Sequence, residues 1–100
     1  MIIGDLNSYA QEDPITTLTA LGWRDALAAV AAPYSFVWDG MAGRLDHALL
    51  SPALAPALRG AAEWHNNADE ETAQGYPQGE PGPWRASDHD PLLIGLDAGR

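Results

Sequence analysis

The sequence predicts a small domain of the mixed α/β (α+β) class, with several short strands and interspersed short helices. Hydrophobic residues make up 46% of the 100 residues, which indicates one packed core rather than a disordered chain. Eight Pro and ten Gly interrupt the chain often, so its helices and strands are expected to be short. Apolar runs typical of strands also alternate with apolar residues at helical spacing.

The first part of the chain predicts one strand and two helices. The apolar run Met1 to Gly4 indicates a buried strand that ends at a loop. Asp13 and Pro14 are typical of a helix start, with Asp13 as the cap and Pro14 at the first helical position. Apolar residues at helical spacing follow at Ile15, Leu18 and Leu21. Gly22 suits the end of this helix, and a second helical stretch is predicted from Trp23 to Ala32.

The second part of the chain predicts a hairpin and further short elements. Tyr34 to Trp38 and Arg44 to Ser51 are the two strands of this hairpin, joined by the Gly-rich turn 39–43. The remaining segments are a helical turn, a strand, a mobile polar loop and a last strand, at residues 51–58, 61–65, 69–83 and 92–96.

Composition restricts the classes of function. The chain has no Cys, which excludes disulfides and thiolate metal sites. Its formal charge is −9, with five Arg and no Lys, which argues against passive binding of a polyanion through a basic face. A divalent-metal site changes this argument, because carboxylates are then ligands and the cation faces the phosphate. The first residues do not resemble a signal peptide, and no apolar run is long enough to span a membrane.

The first chemical motif is Gly4-Asp5-Leu6-Asn7. In an extended chain Asp5 and Asn7 would project to the same side. Asp5 could then orient water or a metal ion, and Asn7 could donate a hydrogen bond to a phosphate oxygen. The alternative is that both are turn residues after a strand. The motif alone leaves both interpretations open.

The second motif is the run from Arg44 to Ser51. Asp46 lies inside an otherwise apolar strand, where an ionised carboxylate is costly unless it is paired. An imidazole is one suitable partner, and the neighbouring Arg44 is an equally suitable one. His47 points to the opposite face of the strand from Asp46 and is interpreted as structural.

The third motif is Ser87-Asp88-His89-Asp90-Pro91, which precedes the last predicted strand. Two acids that flank a His indicate a loop suited to binding a hard metal ion or to proton transfer. An ordinary polar turn with the same residues is the alternative interpretation.

The order of the three motifs is more specific than any one of them. Gly-Asp-x-Asn, Arg-Leu-Asp-x-x-Leu-x-Ser and Ser-Asp-His-x-Pro resemble the latter half of the endonuclease/exonuclease/phosphatase superfamily, which includes DNase I. The match runs from Gly4 to Leu96. It implies a DNase I-like four-layer α/β sandwich, of which this chain would form about one sheet with short helices. Residues 1–100 are therefore expected to be the C-terminal portion of that domain, without its N-terminal half.

The resemblance also implies roles for five residues. Asp5 would orient the attacking water and contribute to the metal site, and Asn7 would hold a phosphate oxygen. His89 would stabilise or protonate the phosphorane, with its imidazole fixed by Asp46. Asp88 would bind or position the divalent metal, Mg²⁺ or Mn²⁺, which acts as a Lewis acid.

The family's N-terminal half supplies a further metal-binding Glu. The Glu residues of this chain are all expected in loops or surface-like stretches, at Glu12, Glu63, Glu70, Glu71 and Glu80. None of them is expected to replace that ligand. The chain alone is therefore expected to be inactive or nearly so, unless another polypeptide completes the site.

The stretch from Glu63 to Glu70 is similar to a Glu-Trp-His-x-Asn-Ala-Asp-Glu segment of large bacterial extracellular nucleases, although it is also an ordinary polar loop. This similarity favours a nuclease with a nucleic-acid substrate, and an extracellular or cell-surface parent protein. The alternatives are a phosphatase or phospholipid diesterase of the same fold, or a non-catalytic binding domain. No membrane partner is expected, and an exposed sheet face predicts self-association.

Overall fold

The computed structural model describes residues 1–30, 34–38, 41–65, 67, 87–97 and 99. Within these ranges the chain forms three small antiparallel sheets, one α-helix and one 3-10 turn, which confirms the predicted mixed α/β (α+β) class at a coarse level. In chain order the elements are β1 (Ile2–Asp5), α1 (Asp13–Ala20), β2 (Arg24–Asp25), β3 (Phe36–Trp38), β4 (Met41–Gly43), β5 (Asp46–Leu50), the 3-10 turn (Ala55–Ala57), β6 (Leu58–Glu63) and β7 (Leu92–Leu96).

The first sheet has the strand order β1-β5-β2. Because β5 lies between two strands, its residues from His47 to Leu50 are buried. The antiparallel register places Asp5 opposite Asp46 at one end of β5 and Arg24 opposite Leu50 at the other. The sheet thus brings two carboxylate-bearing residues of separate motifs side by side.

The helix α1 begins one residue earlier than predicted. Its cap is Glu12, not Asp13, and the Glu12 carboxylate accepts a hydrogen bond from the Tyr9 N–H at 2.7 Å. Pro14 lies in the first turn, where its missing N–H costs nothing. Ile15, at 1% exposure, is the buried anchor of this helix.

The second predicted helix, Trp23 to Ala32, is wrong over its described part. Arg24 and Asp25 form the short strand β2, and turns follow. The Ala26 N–H donates to the Ala48 carbonyl at 2.9 Å, which extends the pairing with β5. Long-range pairing with a buried strand therefore outweighs the local helical spacing. Residues 31–33 lie outside the described residues.

The predicted hairpin is also wrong in its pairing. The partner of β3 is β4, which occupies part of the predicted turn, and Phe36 lies opposite Gly43. The strand β5 pairs instead with β1 and β2. Its sequence is apolar on both faces, so burial between two strands is more favourable than an edge position. Residues 39 and 40 of the predicted turn lie outside the described residues.

The third sheet pairs β6 with β7, with Ala61 opposite Ile94 and Glu63 opposite Leu92. The bounds of β7 are those predicted, whereas β6 starts three residues earlier than predicted and ends before His65. The predicted helical turn 51–58 contains the 3-10 turn, and the predicted loop 69–83 lies outside the described residues. In the part of the chain that the structure describes, no helix has the length and hydropathy to cross a membrane.

One core cluster joins the first and third sheets. Ala26, Ala48 and Leu50 form its buried centre. Partly buried side chains from the 3-10 region and from the third sheet pack against it, namely Leu54, Ala55, Leu58, Ala61 and Ile94. This packing holds β7, and with it the preceding loop, against the sheet that carries Asp5 and Asp46.

Candidate functional site

Two carboxylates and one imidazole converge at one end of the first sheet. Asp5, Asp46 and His89 each offer a ligand atom, and these atoms lie within 4.8 Å of one another. Asp5 ends β1, Asp46 begins β5, and His89 lies in the loop before β7. Three segments that are far apart in the sequence therefore supply one cluster, and each belongs to a different predicted motif.

The closest contact in the cluster joins His89 to Asp46. The His89 Nδ1–H donates to Asp46 Oδ2 at 2.6 Å, and both side chains are largely buried, with 22% and 14% exposure. Burial lowers the pKa of His89. The hydrogen bond to Asp46, with the charges of Asp46, Asp5 and Asp88, raises it more, so the net shift is upward. The imidazole, not Arg44, is therefore the partner of Asp46.

Arg44 binds a different carboxylate, that of Asp25. Arg44 Nη1 donates to Asp25 Oδ1 at 2.9 Å, and Nη2 donates to Oδ2. Burial raises the pKa of Asp25, but the hydrogen bonds from Arg44 and from the Leu27 N–H hold it below its ordinary value. Nothing in the local sequence pattern indicated this pair, because the two residues are 19 positions apart and lie on different elements.

Asn7 does not continue the extended chain that the motif predicts. Its φ of 49° is left-handed, and its backbone N–H donates to Asp5 Oδ1 at 2.8 Å. The extended conformation predicted at Asn7 is therefore wrong, and the backbone of Asp5 to Asn7 forms the turn of the alternative interpretation. The Leu6 N–H donates to the Leu45 carbonyl at 3.0 Å, which holds this turn beside the start of β5.

Asp88 is not part of the group formed by Asp5, Asp46 and His89. Its carboxylate acts on the cluster through its charge, which raises the pKa of His89. The Ser87 Oγ accepts a hydrogen bond from the His89 N–H at 3.1 Å and closes a local turn around Asp88. The loop before β7 thus places His89 in the cluster and Asp88 next to His89, outside the cluster.

A second carboxylate–imidazole pair lies next to the cluster, and the motifs did not reveal it. His65 Nδ1–H donates to Asp90 Oδ2 at 2.8 Å, and the Asn67 N–H donates to Asp90 Oδ1 at 2.9 Å. The Tyr34 ring stacks on His65 with a centroid distance of 3.9 Å. The available signal was the second acid of the third motif, Asp90, directly after His89.

Glu63 is not in a surface-like stretch, as the sequence predicted, but at the last position of β6. Both of its carboxylate oxygens are buried without a hydrogen-bond partner among the described residues. Burial raises the pKa of Glu63 above its ordinary value, and the charges of Arg44 and His65 offset only part of this rise. A strand-end Glu therefore does exist in this chain.

His47 is fully buried, with 0% exposure. Its Nε2–H donates to the Ser8 carbonyl at 2.6 Å and ties β5 to the loop after β1. This contact supports the structural interpretation of His47.

The cluster combines an exposed carboxylate with a partly buried carboxylate–imidazole pair. Such a set can bind a divalent cation or exchange a proton with a bound ligand. Comparisons of the chain with models of protein families, with curated proteins and with solved structures find no match. A function for this chain is therefore inferred from the geometry of Asp5, Asp46 and His89 and from the motifs that carry them.

Proposed function

We propose that this chain carries part of the active site of a divalent-metal-dependent phosphodiesterase that cleaves nucleic acid as an endonuclease. The observation that supports this most is the convergence of Asp5, Asp46 and His89 within 4.8 Å, each from a different motif. The motif order resembles the endonuclease/exonuclease/phosphatase superfamily. In this proposal the three sheets belong to a four-layer α/β sandwich, and a segment outside this chain supplies a further metal ligand.

Within the cluster, the Asp5 carboxylate is the ligand best suited to Mg²⁺ or Mn²⁺. These ions prefer oxygen ligands and are often held by one or two carboxylates together with water and substrate phosphate. Asp5 is exposed and lies at the cluster, whereas Asp46 Oδ2 is occupied by its bond to His89. Asp88, on the adjacent loop, is the proposed second contributor. When bound, the ion would act as a Lewis acid on a phosphoryl oxygen and offset charge on the leaving oxygen.

In this proposal, four residues of the chain have the other roles at the site. Asp46 holds the His89 Nδ1 proton and so leaves Nε2 as the nitrogen that faces a substrate oxygen. The raised pKa of His89 enlarges its cationic fraction near neutral pH, which suits a group that stabilises negative charge on the phosphorane. Asp5 orients the attacking water, and the exposed Asn7 amide donates to a phosphate oxygen.

The net charge of −9 opposes the approach of a polyanion. The proposal therefore requires the metal ion to supply the local positive charge at the phosphate. An extracellular or cell-surface location, which the stretch from Glu63 to Glu70 suggests, is part of the same proposal.

A plasmid-nicking assay tests this function. The longest natural polypeptide that contains this chain is incubated with supercoiled DNA and with a panel of small phosphoesters, with Mg²⁺ or with a chelator. We expect nicking that requires the ion and that His89→Ala abolishes. Asp97→Asn is the control, because Asp97 lies in an exposed ion pair with Arg59 outside the cluster.

The other outcomes separate the alternatives. Cleavage of a small phosphoester without nicking would replace the nuclease with a phosphatase or phospholipid diesterase. Silence in every assay, with no rise of Tm on addition of Mg²⁺ or Mn²⁺, would instead favour a non-catalytic binding domain.

A further inference from the structure

Ser35 is a fully buried polar residue, with 0% exposure, that directly precedes β3. Its backbone N–H donates to the Gly43 carbonyl at 3.0 Å, which joins it to the second sheet. A buried hydroxyl is costly unless it is hydrogen-bonded, so its partners show what it stabilises.

The side chain of Ser35 holds the start of β5. Its Oγ accepts hydrogen bonds from the Leu45 N–H at 3.2 Å and from the Asp46 N–H at 3.1 Å. These two N–H groups lie where the chain enters the first sheet. The hydroxyl therefore fixes the backbone from which the Asp46 carboxylate projects.

The carbonyl of Ser35 holds the loop that carries His89. It accepts a hydrogen bond from the Asp90 N–H at 2.8 Å, immediately after His89 and just before the third sheet. From the other side, the Asn67 amide donates to the His89 carbonyl at 2.7 Å. The backbone around His89 is thus held between Ser35 and Asn67.

We propose that Ser35 is a positioning residue that sets the distance between the Asp46 carboxylate and the His89 imidazole. The two partners are 43 residues apart in the chain, Asp46 at the start of β5 and His89 in the loop before β7, yet they meet at 2.6 Å. Ser35 bonds to the backbone of both segments and, through the Gly43 carbonyl, to the second sheet. A shift of β5 against the loop must break a bond to Ser35. The consequence for catalysis rests on the proposed function, but the positioning itself does not.

The first test observes the pair directly by NMR. The low-field resonance of the His89 Nδ1 proton, assigned with a His89→Gln variant, reports the bond to Asp46. Ser35→Ala should shift this resonance to higher field or broaden it through solvent exchange. Ser35→Thr, which keeps the Oγ acceptor, should restore it. Ser51→Ala, at the opposite end of β5, is the matched control and should leave it unchanged.

An unchanged resonance in folded Ser35→Ala would overturn the proposal. If Ser35→Ala does not fold, Ser35→Cys gives the same comparison, because its sulfur is a much weaker acceptor of similar size. An unchanged resonance in folded Ser35→Cys would then be the contradicting result.

The second test uses nicking by the longest natural polypeptide. Ser35→Ala should lower kcat by about 10-fold to 100-fold, as expected for a small displacement of a reacting group, with KM within about twofold of the wild type. Ser35→Thr should recover most of kcat. Ile15→Val, a core variant away from the cluster, controls for lost stability. Wild-type kcat in Ser35→Ala, or a loss equal to that of Ile15→Val, would contradict the proposal. A wild type without nicking rejects the proposed function alone, and the NMR result still decides the role of Ser35.

Discussion

The hydrogen-bond partner of Asp46 determines whether the cluster contains a group that can exchange protons. A bond to Arg44 would have made Asp46 part of a structural ion pair, with no group left to exchange protons. In the structure Arg44 is turned towards Asp25, and Asp46 binds the His89 ring. Because both pairs are largely buried, each carboxylate needs a hydrogen-bond donor in place of water.

Substitutions at the cluster test the proposed roles in the longest natural polypeptide. Asp5→Asn and His89→Ala should each lower the nicking rate by about 10²-fold to 10⁴-fold, the usual contribution of a positioned acid or base. Asp46→Asn should cost less than His89→Ala, because the imidazole remains and is only misoriented. Initial rates at saturating Mg²⁺ measure this, with Asp97→Asn as the control. Near wild-type activity in His89→Ala would refute its role.

The Asp25–Arg44 pair predicts a stability change with pH. The folded-state pKa of Asp25 lies below the ordinary value of 3.8, so the unfolded chain takes up the proton first as the pH falls. The contribution of the pair is thus complete above the ordinary pKa and is lost as the pH falls through the lower folded pKa. Asp25→Asn should destabilise the fold at neutral pH by about 3 kcal/mol, because it leaves the buried Arg44 charge without its counter-ion.

Urea denaturation at a series of pH values measures this effect. Asp97→Asn is a matched control, because its ion pair with Arg59 has side chains that are 38% and 60% exposed. That substitution should change the free energy of unfolding by at most about 1 kcal/mol. Equal losses in the two variants would show that the Asp25–Arg44 pair contributes no more than a surface pair.

At the scale of elements, the burial of β5 determines which neighbouring segments pair with it as strands. Its residues from His47 to Leu50 are buried, and the strands β1 and β2 cover its two edges. The chain around Arg24 and Asp25 therefore becomes a strand although its apolar spacing is helical. Because β5 pairs with β1 and β2, it does not pair with β3, and β3 pairs instead with β4. A strand that is apolar on both faces thus decides which of its neighbours becomes extended.

Glu63, at the end of β6, is predicted to lower the free energy of unfolding at neutral pH. Its raised pKa means that the folded state favours the protonated carboxyl, so its contribution is present at low pH and is lost as the pH rises through the folded pKa. Glu63→Gln should raise the free energy of unfolding at neutral pH by about 1 kcal/mol, because it removes a buried charge that has no hydrogen-bond partner among the described residues.

This gain should vanish at a pH below the ordinary pKa of Glu, where the wild-type carboxyl is also neutral. Urea denaturation at the two pH values gives the comparison. Glu12→Gln is the control, since Glu12 is exposed and its carboxylate accepts the Tyr9 N–H. A loss of stability in Glu63→Gln at neutral pH would mean that the charged carboxylate has a stabilising partner.

At the scale of the whole molecule, two strands leave an edge with exposed apolar side chains. β1 and β7 each have one pairing strand among the described residues, and Ile3 and Leu93 are 50% and 57% exposed. Open edges with apolar side chains favour association. The chain is therefore expected to dimerise or aggregate through these edges.

Sedimentation velocity over a range of concentrations measures the association. Ile3→Lys and Leu93→Lys should shift the distribution towards monomer, because a charge on an edge strand opposes pairing with another chain. Leu21→Lys is the control, as Leu21 is 70% exposed next to α1 and lies outside the sheets. A wild-type chain that stays monomeric at every concentration would contradict the prediction.

The sequence by itself determined the elements whose signals are local. An apolar run predicted β7 to the residue, and Pro14 with the apolar spacing after it predicted α1 within one residue of its start. It also selected the three candidate residues of the cluster: Asp5 at the end of an apolar run, Asp46 within another, and His89 between two acids before a third. Each of these features depends on side chains a few residues apart in the sequence, so it can be recognised without the tertiary structure.

Only the tertiary structure decided which of these residues meet. The bond from His89 to Asp46 spans 43 residues, and the one from Arg44 to Asp25 spans 19. Ser35 lies in none of the three motifs, and its bonds to Asp46 and Asp90 form only when the loop before β7 packs beside the start of β5. The physical reason is that a buried polar group takes whichever partner the folded chain brings near, and strand pairing determines that partner.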